Sequence, residues 1–319
     1  MRLLVTGGAG YIGSVVAALL LEEGHDVTVL DDLSTGHADA VPNGARFVHG
    51  RVSEAGSVMG DQLYDGVLHF AAKSLVAESV ASPELYWRNN VVESLALVEA
   101  VRMHRVPRLV FSSTAAVYGE PDVAVIDENT PAVPINAYGQ SKLTVDFMLA
   151  AAARAHGLAA VSLRYFNVGG AMRSFGERHR VETHLIPNIL AVASGSRSTV
   201  SVFGTDFPTS DGTAVRDYLH VRDLGRAHLL ALAAAQPGTH GVYNLGSGMG
   251  YSVAEVVDAC RTVTGHRIPS LPAARREGDP ARLVASNKRI GAVLGWTPQA
   301  SLEEIVGDAW AFMSGCAGS

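Results

Sequence analysis

The most constraining feature of this 319-residue sequence is a glycine-rich turn near its amino terminus. The segment Thr6-Gly7-Gly8-Ala9-Gly10-Tyr11-Ile12-Gly13 joins an apolar strand candidate, Arg2–Thr6, to a helical pattern over Tyr11–Glu23. Glycines let the backbone approach a pyrophosphate, and the first amides of the helix can bind that anion. Asp31 closes the second strand 18 residues after Gly13, where a carboxylate can accept both ribose hydroxyls of NAD and would repel the 2′-phosphate of NADP. The turn predicts a dinucleotide site that prefers NAD as cofactor.

Short apolar segments alternate with helical patterns through the first half of the chain, which is typical of a parallel sheet covered by helices. The strand candidates are Arg2–Thr6, Asp26–Leu30, Arg46–His49, Gly66–Phe70, Arg108–Ser112 and Ala159–Arg164, and the helix candidates are Tyr11–Glu23, Pro83–His104 and Tyr138–His156. We expect an α/β fold built on a doubly wound parallel (Rossmann) sheet.

The alternation becomes looser after Asn167. The strand candidates there are Thr199–Phe203, Arg216–His220 and Val242–Leu245, and the helix candidates are Leu185–Gly195, Asp223–Ala235, Val253–Thr264 and Ser301–Met313. This pattern predicts a smaller, mixed α/β substrate-binding domain. We expect an NAD-binding domain over residues 1–166, to which parts of 214–245 return, and the second domain over 167–319.

Composition argues against several other classes of protein. With 48% hydrophobic and 18% charged residues the chain can bury a large core, and a formal charge of −6 gives it no general attraction to nucleic acid or to anionic membranes. We see no signal peptide and no apolar run long enough to span a membrane. Two cysteines, Cys260 and Cys316, are too few for a disulfide framework and lack zinc-site spacing. We therefore expect a cytoplasmic protein without a metal.

A second motif carries chemistry. Tyr138 and Lys142 are four residues apart on a predicted helix, so they lie on one face. A tyrosine with a pKa of about 10 is a poor base at neutral pH, but a nearby ammonium and a bound nicotinium ring favour its phenolate. A surface Tyr–Lys pair can share this spacing. Together with the glycine turn and the run Ser112-Ser113-Thr114 after the fifth strand, the pair predicts a site that takes a proton from a sugar hydroxyl, with Thr114 sharing a hydrogen bond.

These motifs resemble those of a known family. The glycine turn, Ser112–Gly119, Tyr138–Lys142 and Arg164–Asn167 are similar to extended short-chain dehydrogenases/reductases that act on nucleotide sugars. Within that family, Phe203–Val221 resembles the UDP-glucose 4-epimerases, and the resemblance extends from residue 1 to about residue 312. It implies NAD as cofactor, a UDP-sugar substrate bound mainly by residues 167–319, and a homodimer.

The resemblance also implies roles for individual residues. Cofactor contacts are implied for Gly7, Gly10, Tyr11, Ile12, Gly13, Asp31, Phe70, Ala71, Ala72, Asn90, Ser112, Tyr138, Lys142 and Tyr165. Substrate contacts are implied for Thr114, Tyr138, Asn167, His184, Leu185, Phe203, Arg216, Arg276, Asp279 and Leu283, and catalytic roles for Tyr138, Lys142 and Thr114. Arg216 and Arg276 suit a diphosphate, which guanidinium groups bind strongly, although either could instead be a surface ion-pair partner.

Four positions depart from the family's common pattern. Arg51 stands where many members have an acid that contacts adenine, and Ser74 stands where many have a lysine. His184 replaces a common asparagine near the substrate, and Leu283 occupies the place of a bulky tyrosine beside the sugar. The contacts that the common residues make are therefore not assumed for this chain.

The implied reaction is inversion of C4 of a UDP-hexose, UDP-glucose or UDP-galactose, through a transient 4-keto sugar. The alternatives are an epimerase of UDP-N-acetylglucosamine or UDP-glucuronate, a nucleotide-sugar dehydratase, and a non-catalytic NAD-binding protein. A dehydratase needs an acid directly after the strand-five Ser/Thr motif, where this chain has Ala115-Ala116. Loss of Tyr138 or Lys142 would indicate a non-catalytic protein, and both are present.

Overall fold

The computed structural model of the protein describes residues 1–276 and 279–315, so Cys316 lies outside the described residues. The strands are β1 (Arg2–Thr6), β2 (Asp26–Asp31), β3 (Arg46–His49), β4 (Gly66–His69), β5 (Arg108–Thr114), β6 (Ala159–Tyr165), β7 (Asn167–Gly169), β8 (Val200–Phe203), β9 (Val215–Arg216), β10 (Tyr218–His220), β11 (His240–Leu245), β12 (Tyr251–Ser252), β13 (Ser270–Ala273) and β14 (Arg282–Leu283).

The helices lie mostly between these strands. They are α1 (Tyr11–Glu22), α2 (Ala55–Met59), α3 (Val76–Ala81), α4 (Pro83–Tyr86), α5 (Glu93–Met103), α6 (Ala137–His156), α7 (Leu185–Ala193), α8 (Val221–Ala234), α9 (Val253–Thr264), α10 (Lys288–Leu294) and α11 (Leu302–Met313). Within the described ranges, no helix is both long enough and apolar enough to cross a membrane.

A parallel sheet of seven strands, in the order β11-β6-β5-β4-β1-β2-β3, lies at the centre of the described structure. The order changes direction between β1 and β4, and the carboxyl ends of the strands form a crevice there. The predicted doubly wound sheet is confirmed. The sequence pattern indicates six strands in the first half, and the seventh is β11, which lies within the 214–245 segment expected to return to the NAD-binding domain.

Alternate side chains of the strands point to opposite faces of the sheet, and each face has its own core. Leu3 and Val5 of β1 pack with residues of α1 and α8 on one face. Leu4 packs with residues of α5 and α6 on the other. Both faces are thus covered by helices, which explains the nearly continuous apolar character of the strands.

The predicted helix Pro83–His104 is interrupted. Between α4 and α5 the chain forms a π-helical turn, Trp87–Val92, in which one extra residue enters the turn. The turn contains Asn90, which is buried and hydrogen-bonded to the backbone of Lys73 and to Ser141. An inserted residue leaves too small a mark on the hydrophobic period to be read from the sequence.

The residues after β6 build several small sheets against a third core. β7 pairs with β10, β8 pairs with β13, and β9 lies between β12 and β14. Arg216–His220, predicted as one strand, is divided at Asp217 into β9 and β10. The buried Asp217 carboxylate accepts hydrogen bonds from the backbone nitrogens of Ser247, Gly248 and Ala285. Asp217 therefore binds two neighbouring loops at the point where β9 ends and β10 begins.

Candidate active site

The glycine turn lies where the ends of β1 and β4 meet. Gly7 has a φ of +74°, and a Cβ atom there would lie 2.4 Å from the backbone nitrogen of Ala71. A Cβ atom on Gly13, at the start of α1, would lie 2.2 Å from the Gly7 carbonyl oxygen. Any side chain at either position would therefore displace the backbone, and the turn has the close-packed form that a pyrophosphate-binding loop needs.

Asp31 ends β2 beside this turn and is only 7% exposed. Its carboxylate accepts hydrogen bonds from the backbone nitrogens of Ala9 (3.0 Å) and Leu33 (2.8 Å). Burial raises the pKa of Asp31, and these two hydrogen bonds act in the opposite direction. The carboxylate is held in a fixed orientation with acceptor capacity left for ribose hydroxyls.

One cavity of about 480 Å³ joins the glycine turn to the Tyr–Lys pair. The predicted site residues that line it are Gly7, Gly10, Tyr11, Ile12, Gly13, Asp31, Phe70, Ala71, Ala72, Ser112, Thr114, Tyr138, Lys142, Tyr165, Asn167, His184 and Leu283. The predicted residues that lie away from its wall are Asn90, Leu185, Phe203, Arg216, Arg276 and Asp279. The structure thus brings most of the predicted cofactor contacts and all three predicted catalytic residues into one space.

Tyr138 lies in the first turn of α6 and faces Thr114 at the end of β5. The Thr114 hydroxyl accepts a hydrogen bond from the backbone nitrogen of Ala116 (3.1 Å), which leaves its own proton for the Tyr138 oxygen. Burial raises the pKa of Tyr138, and the hydrogen bond from Thr114 lowers it. The pair places a phenol oxygen and a hydroxyl side by side at the cavity wall.

Lys142 is 3% exposed and lies one turn further along α6. Its Nζ donates to the Ser112 carbonyl oxygen (2.7 Å) and lies 4.7 Å from the centroid of the Phe111 ring. Burial lowers the pKa of Lys142 to about 7, although the negative charge of Asp146 acts to raise it. The direct hydrogen-bond partner of the Lys142 side chain is therefore the Ser112 carbonyl oxygen, which holds Nζ beside the cavity.

The buried Asn90 does not line the cavity but is hydrogen-bonded to Lys73, which does. Its side-chain oxygen accepts from the Lys73 nitrogen (2.9 Å), and its nitrogen donates to the Lys73 carbonyl oxygen (3.0 Å) and to the Ser141 hydroxyl (3.0 Å). Lys73 itself lines the cavity, as does Asn89. Asn90 therefore holds the loop after β4 against α6.

The predicted diphosphate arginines already have partners within the chain. Arg216 forms an ion pair with Asp279, and the Arg276 guanidinium lies 4.2 Å above the Phe203 ring. Arg216 is in register with Leu283 across the pairing of β9 and β14, and Leu283 lines the cavity. The Asp279 backbone nitrogen donates to the Arg276 carbonyl oxygen (3.3 Å), so the two pairs are neighbours, and the Arg216 pair lies next to Leu283.

Residues 3–246 match the sequence profile of the NAD dependent epimerase/dehydratase family. The chain belongs to this family. A curated relative from Corynebacterium glutamicum, named UDP-glucose 4-epimerase, is 57% identical over 98% of this chain and 96% of its own length. The predicted resemblance to UDP-glucose 4-epimerases is confirmed.

Solved structures of this epimerase family are similar over nearly the whole chain. The UDP-glucose 4-epimerase of Brucella ovis in complex with NAD is 41% identical, with a TM-score of 0.93 over 97% of each chain. The enzyme of Bifidobacterium longum in complex with NAD⁺ and UDP is 34% identical, with a TM-score of 0.93 over 99% of this chain and 98% of the other.

Three of the residues that depart from the family's common pattern, Arg51, Ser74 and His184, line the cavity. Arg51 lines the cavity and forms an ion pair with Glu93 (2.5 Å), so its charge is already balanced. Ser74 is exposed at the cavity wall. The His184 Nδ1 lies close to carboxylate oxygens of Glu177 (2.6 Å) and Glu182 (2.9 Å).

Among the cavity-lining residues that the sequence analysis did not single out, Glu177 and His179 stand out for their chemistry. They belong, with Glu182 and His184, to an E-x-H-x-x-E-x-H segment whose spacing could have drawn attention to them. Partial burial would lower the pKa of His184, but hydrogen bonds and charge from the two glutamates raise it to about 10. Burial would raise the pKa of Glu177, but the two histidines lower it to about 2. The cluster strongly favours positive charge between its carboxylates.

Proposed function

We propose that this chain inverts the configuration at C4 of a UDP-hexose, with NAD as cofactor and with UDP-glucose and UDP-galactose as the substrate pair. One observation carries the proposal: the proton-transfer group of Tyr138, Thr114 and Lys142 shares a cavity with the glycine turn and Asp31. The names of the relatives support the reaction, and the complexes of solved relatives with NAD and UDP support the ligands.

The residues present fit NAD. The turn is closed to any side chain at Gly7 and Gly13, and the Asp31 carboxylate is fixed where the adenosine ribose would lie. When bound, NAD accepts a hydride from C4 of the sugar and later returns it to the opposite face of the same carbon.

Tyr138 takes the proton of the sugar 4-hydroxyl as the C4–H bond breaks, and it gives the proton back when C4 is reduced. Thr114 orients the phenol oxygen and shares a hydrogen bond with the sugar oxygen. Lys142 supplies positive charge on the same helix face. Between the two half-reactions the planar 4-keto sugar turns its other face toward the cofactor, so no net oxidation occurs.

The UDP end must stay bound while the sugar turns. Asn167, His184 and Leu283 line the cavity, Arg216 is in register with Leu283, and Arg276 neighbours Asp279, the partner of Arg216. We assign the diphosphate to the two arginines, which exchange their contacts with Asp279 and Phe203 for phosphate oxygens. Leu185, Phe203 and Asp279 complete the proposed UDP contacts.

This assignment implies a division of labour along the chain. We propose that residues 1–166 form the NAD-binding domain, to which parts of 214–245 return, and that residues 167–319 bind mainly the UDP-sugar. The position of β11 beside β6 and the packing of α8 against α1 support the return.

We also propose a homodimer, formed through α5, α6 and the π-helical turn. α5 packs against α6, and large apolar side chains are exposed along this stretch, namely Trp87, Val92, Leu95, Met103 and Phe147. Analytical ultracentrifugation of the Phe147→Asp variant should show a monomer, while Leu63→Asp, an exposed position elsewhere, should leave the dimer intact. A monomeric parent protein would contradict the proposal.

We infer a cytoplasmic location. The support is cysteine usage: within the part of the chain that the structure describes, Cys260 is buried and has no disulfide partner, as is usual for proteins of reducing compartments. Fractionation of cells that express the protein should recover it with the cytoplasmic fraction, and recovery outside that fraction would overturn this inference.

The replacement Tyr138→Phe tests the proposed function directly. Removing the proton acceptor should lower turnover of UDP-galactose by at least ~10²-fold while bound NAD is retained. Tyr243→Phe, on β11, provides a matched control that should remain active. A fully active Tyr138→Phe variant would remove Tyr138 from the reaction, and a parent protein inactive with UDP-glucose and UDP-galactose would refute the substrate assignment.

A further inference from the structure

A second group of chemically active side chains lies at the edge of the cavity. Glu177, His179, Glu182 and His184 each place one potential metal-ligand atom so that all four atoms lie within 4.8 Å of one another. They come from eight consecutive positions directly before α7. Such a short segment can close around an ion without movement of distant parts of the chain.

The spacing of these atoms matches a small coordination sphere. Glu177 Oε1 lies 2.6 Å from His184 Nδ1 and 2.8 Å from His179 Nδ1, and Glu182 Oε2 lies 3.9 Å from His179 Nδ1. Four ligands at the ~2.0–2.1 Å bond lengths of tetrahedral Zn²⁺ lie roughly 3.3 Å apart. The three separations fall on both sides of that value, and all four ligand atoms lie within 4.8 Å of one another, so the side chains have to adjust to form the tetrahedron.

Hydrogen bonding among the four residues leaves one atom unsatisfied. His179 Nδ1 is buried and, among the described residues, has no hydrogen bond of acceptable geometry, although Glu177 Oε1 is 2.8 Å away. A buried polar nitrogen without a partner is costly, and coordination of an ion would satisfy it.

The charges of the cluster also need a cation. The Glu177 side chain is only 8% exposed, and Glu182 lies close by at 18%. The neighbouring Arg178 points away and forms a two-pronged ion pair with Asp39. The two partly buried carboxylates therefore need positive charge nearby. Either protonated histidines or an ion bound by all four residues can supply it.

We propose that Glu177, His179, Glu182 and His184 bind one divalent transition-metal ion of the Zn²⁺ class. Imidazole nitrogens and carboxylate oxygens are the ligands that Zn²⁺ uses in proteins. The ion fixes the segment before α7 and the orientation of the His184 ring at the cavity wall. It takes no part in the hydride or proton transfer, so the proposal stands or falls separately from the proposed function.

The test uses full-length protein without a polyhistidine tag, loaded with NAD, treated with a chelator and transferred to metal-free buffer. Isothermal titration calorimetry with Zn²⁺ should show one site per chain. The protein loaded with Co²⁺ should show the visible absorption bands of tetrahedral coordination. His179→Gln and Glu182→Gln should each weaken binding ~100-fold or more, since even changes in outer-shell partners cost 10–100-fold. The control His156→Gln, on the exposed end of α6, should bind as the parent does.

Each outcome decides the question. Binding that survives both ligand variants would show an adventitious surface site and overturn the proposal. The absence of tight binding by the parent would do the same, and would identify the cluster as a hydrogen-bonded network. If a variant does not fold, the Co²⁺ spectrum and a Zn²⁺-dependent rise in the parent's Tm still test the site. None of these readouts depends on epimerase activity.

Discussion

His69 should make the protein sensitive to mild acid. This histidine is the last residue of β4 and is fully buried. Its Nδ1 is hydrogen-bonded to the Thr6 hydroxyl (2.6 Å), and its Nε2 is hydrogen-bonded to the Ser94 hydroxyl (2.9 Å). Its ring stacks on Phe111, the ring that also faces the Lys142 ammonium. Burial, and then the charge of Lys142, lower the pKa of His69 from 6.5 to about 3. The folded protein therefore keeps this imidazole neutral at pH values where the unfolded chain protonates it.

The sign and size of the effect follow from this difference. The stabilisation is complete above the unfolded pKa of 6.5 and is lost as the pH falls toward the folded pKa of about 3. Each pH unit within that window costs about 1.4 kcal/mol, because the unfolded state binds a proton that the folded state does not. Between pH 7 and pH 5 the loss from His69 amounts to about 2 kcal/mol.

Urea unfolding at pH 7 and pH 5 measures this loss. His69→Gln can keep hydrogen bonds to Thr6 and Ser94 but cannot titrate, so its free energy of unfolding should fall by about 2 kcal/mol less than that of the parent between the two pH values. The exposed His156→Gln variant should behave as the parent does. Equal pH dependence of the parent and His69→Gln would refute the reasoning.

Three further changes have expected outcomes. Gly13→Ala would place a Cβ atom 2.2 Å from the Gly7 carbonyl oxygen, so purified protein should retain far less NAD after desalting than the parent; unchanged retention would contradict the role of the turn. Leu283→Tyr should suppress turnover of UDP-N-acetylglucosamine, expected to be the weaker substrate, by ~10–200-fold more than turnover of UDP-glucose, and equal suppression would show that Leu283 does not select the sugar. Arg164→Met leaves the buried Asp146 carboxylate without its cation and should lower the free energy of unfolding by about 3–5 kcal/mol; a loss below about 1 kcal/mol in chemical denaturation would disprove the pairing.

The central sheet could be predicted because its signals are local. The apolar strands, glycine turn and helical patterns each occupy a few consecutive residues, and the predicted limits of β1 and β3 agree with the structure. The sequence indicated that parts of 214–245 return to the first domain, but it could not show that β11 pairs with β6, since about 75 residues separate the two strands. The period of a helix also gives no warning of one inserted residue, so the π-helical turn at Trp87–Val92 was missed.

The candidate site shows the same limit. Motifs identified the residues around the glycine turn and the Tyr–Lys pair because each motif is short and its chemistry is specific. Partnerships across the fold were not visible: Arg216 pairs with Asp279, and Arg51 pairs with Glu93. The spacing of Glu177 and His179 was present in the sequence, but only the folded segment shows that their ligand atoms converge.

The late arrival of β11 has a consequence for synthesis of the protein. About 75 residues separate the end of β6 from the start of β11, so at ~5–20 residues per second the ribosome needs about 4–15 s to deliver the neighbour of β6. Throughout that interval the nascent chain presents the open edge of β6, with its apolar side chains, to the surrounding solution. Chaperones that shield such edges should therefore increase the yield of this protein most when they act before residue 245 has emerged.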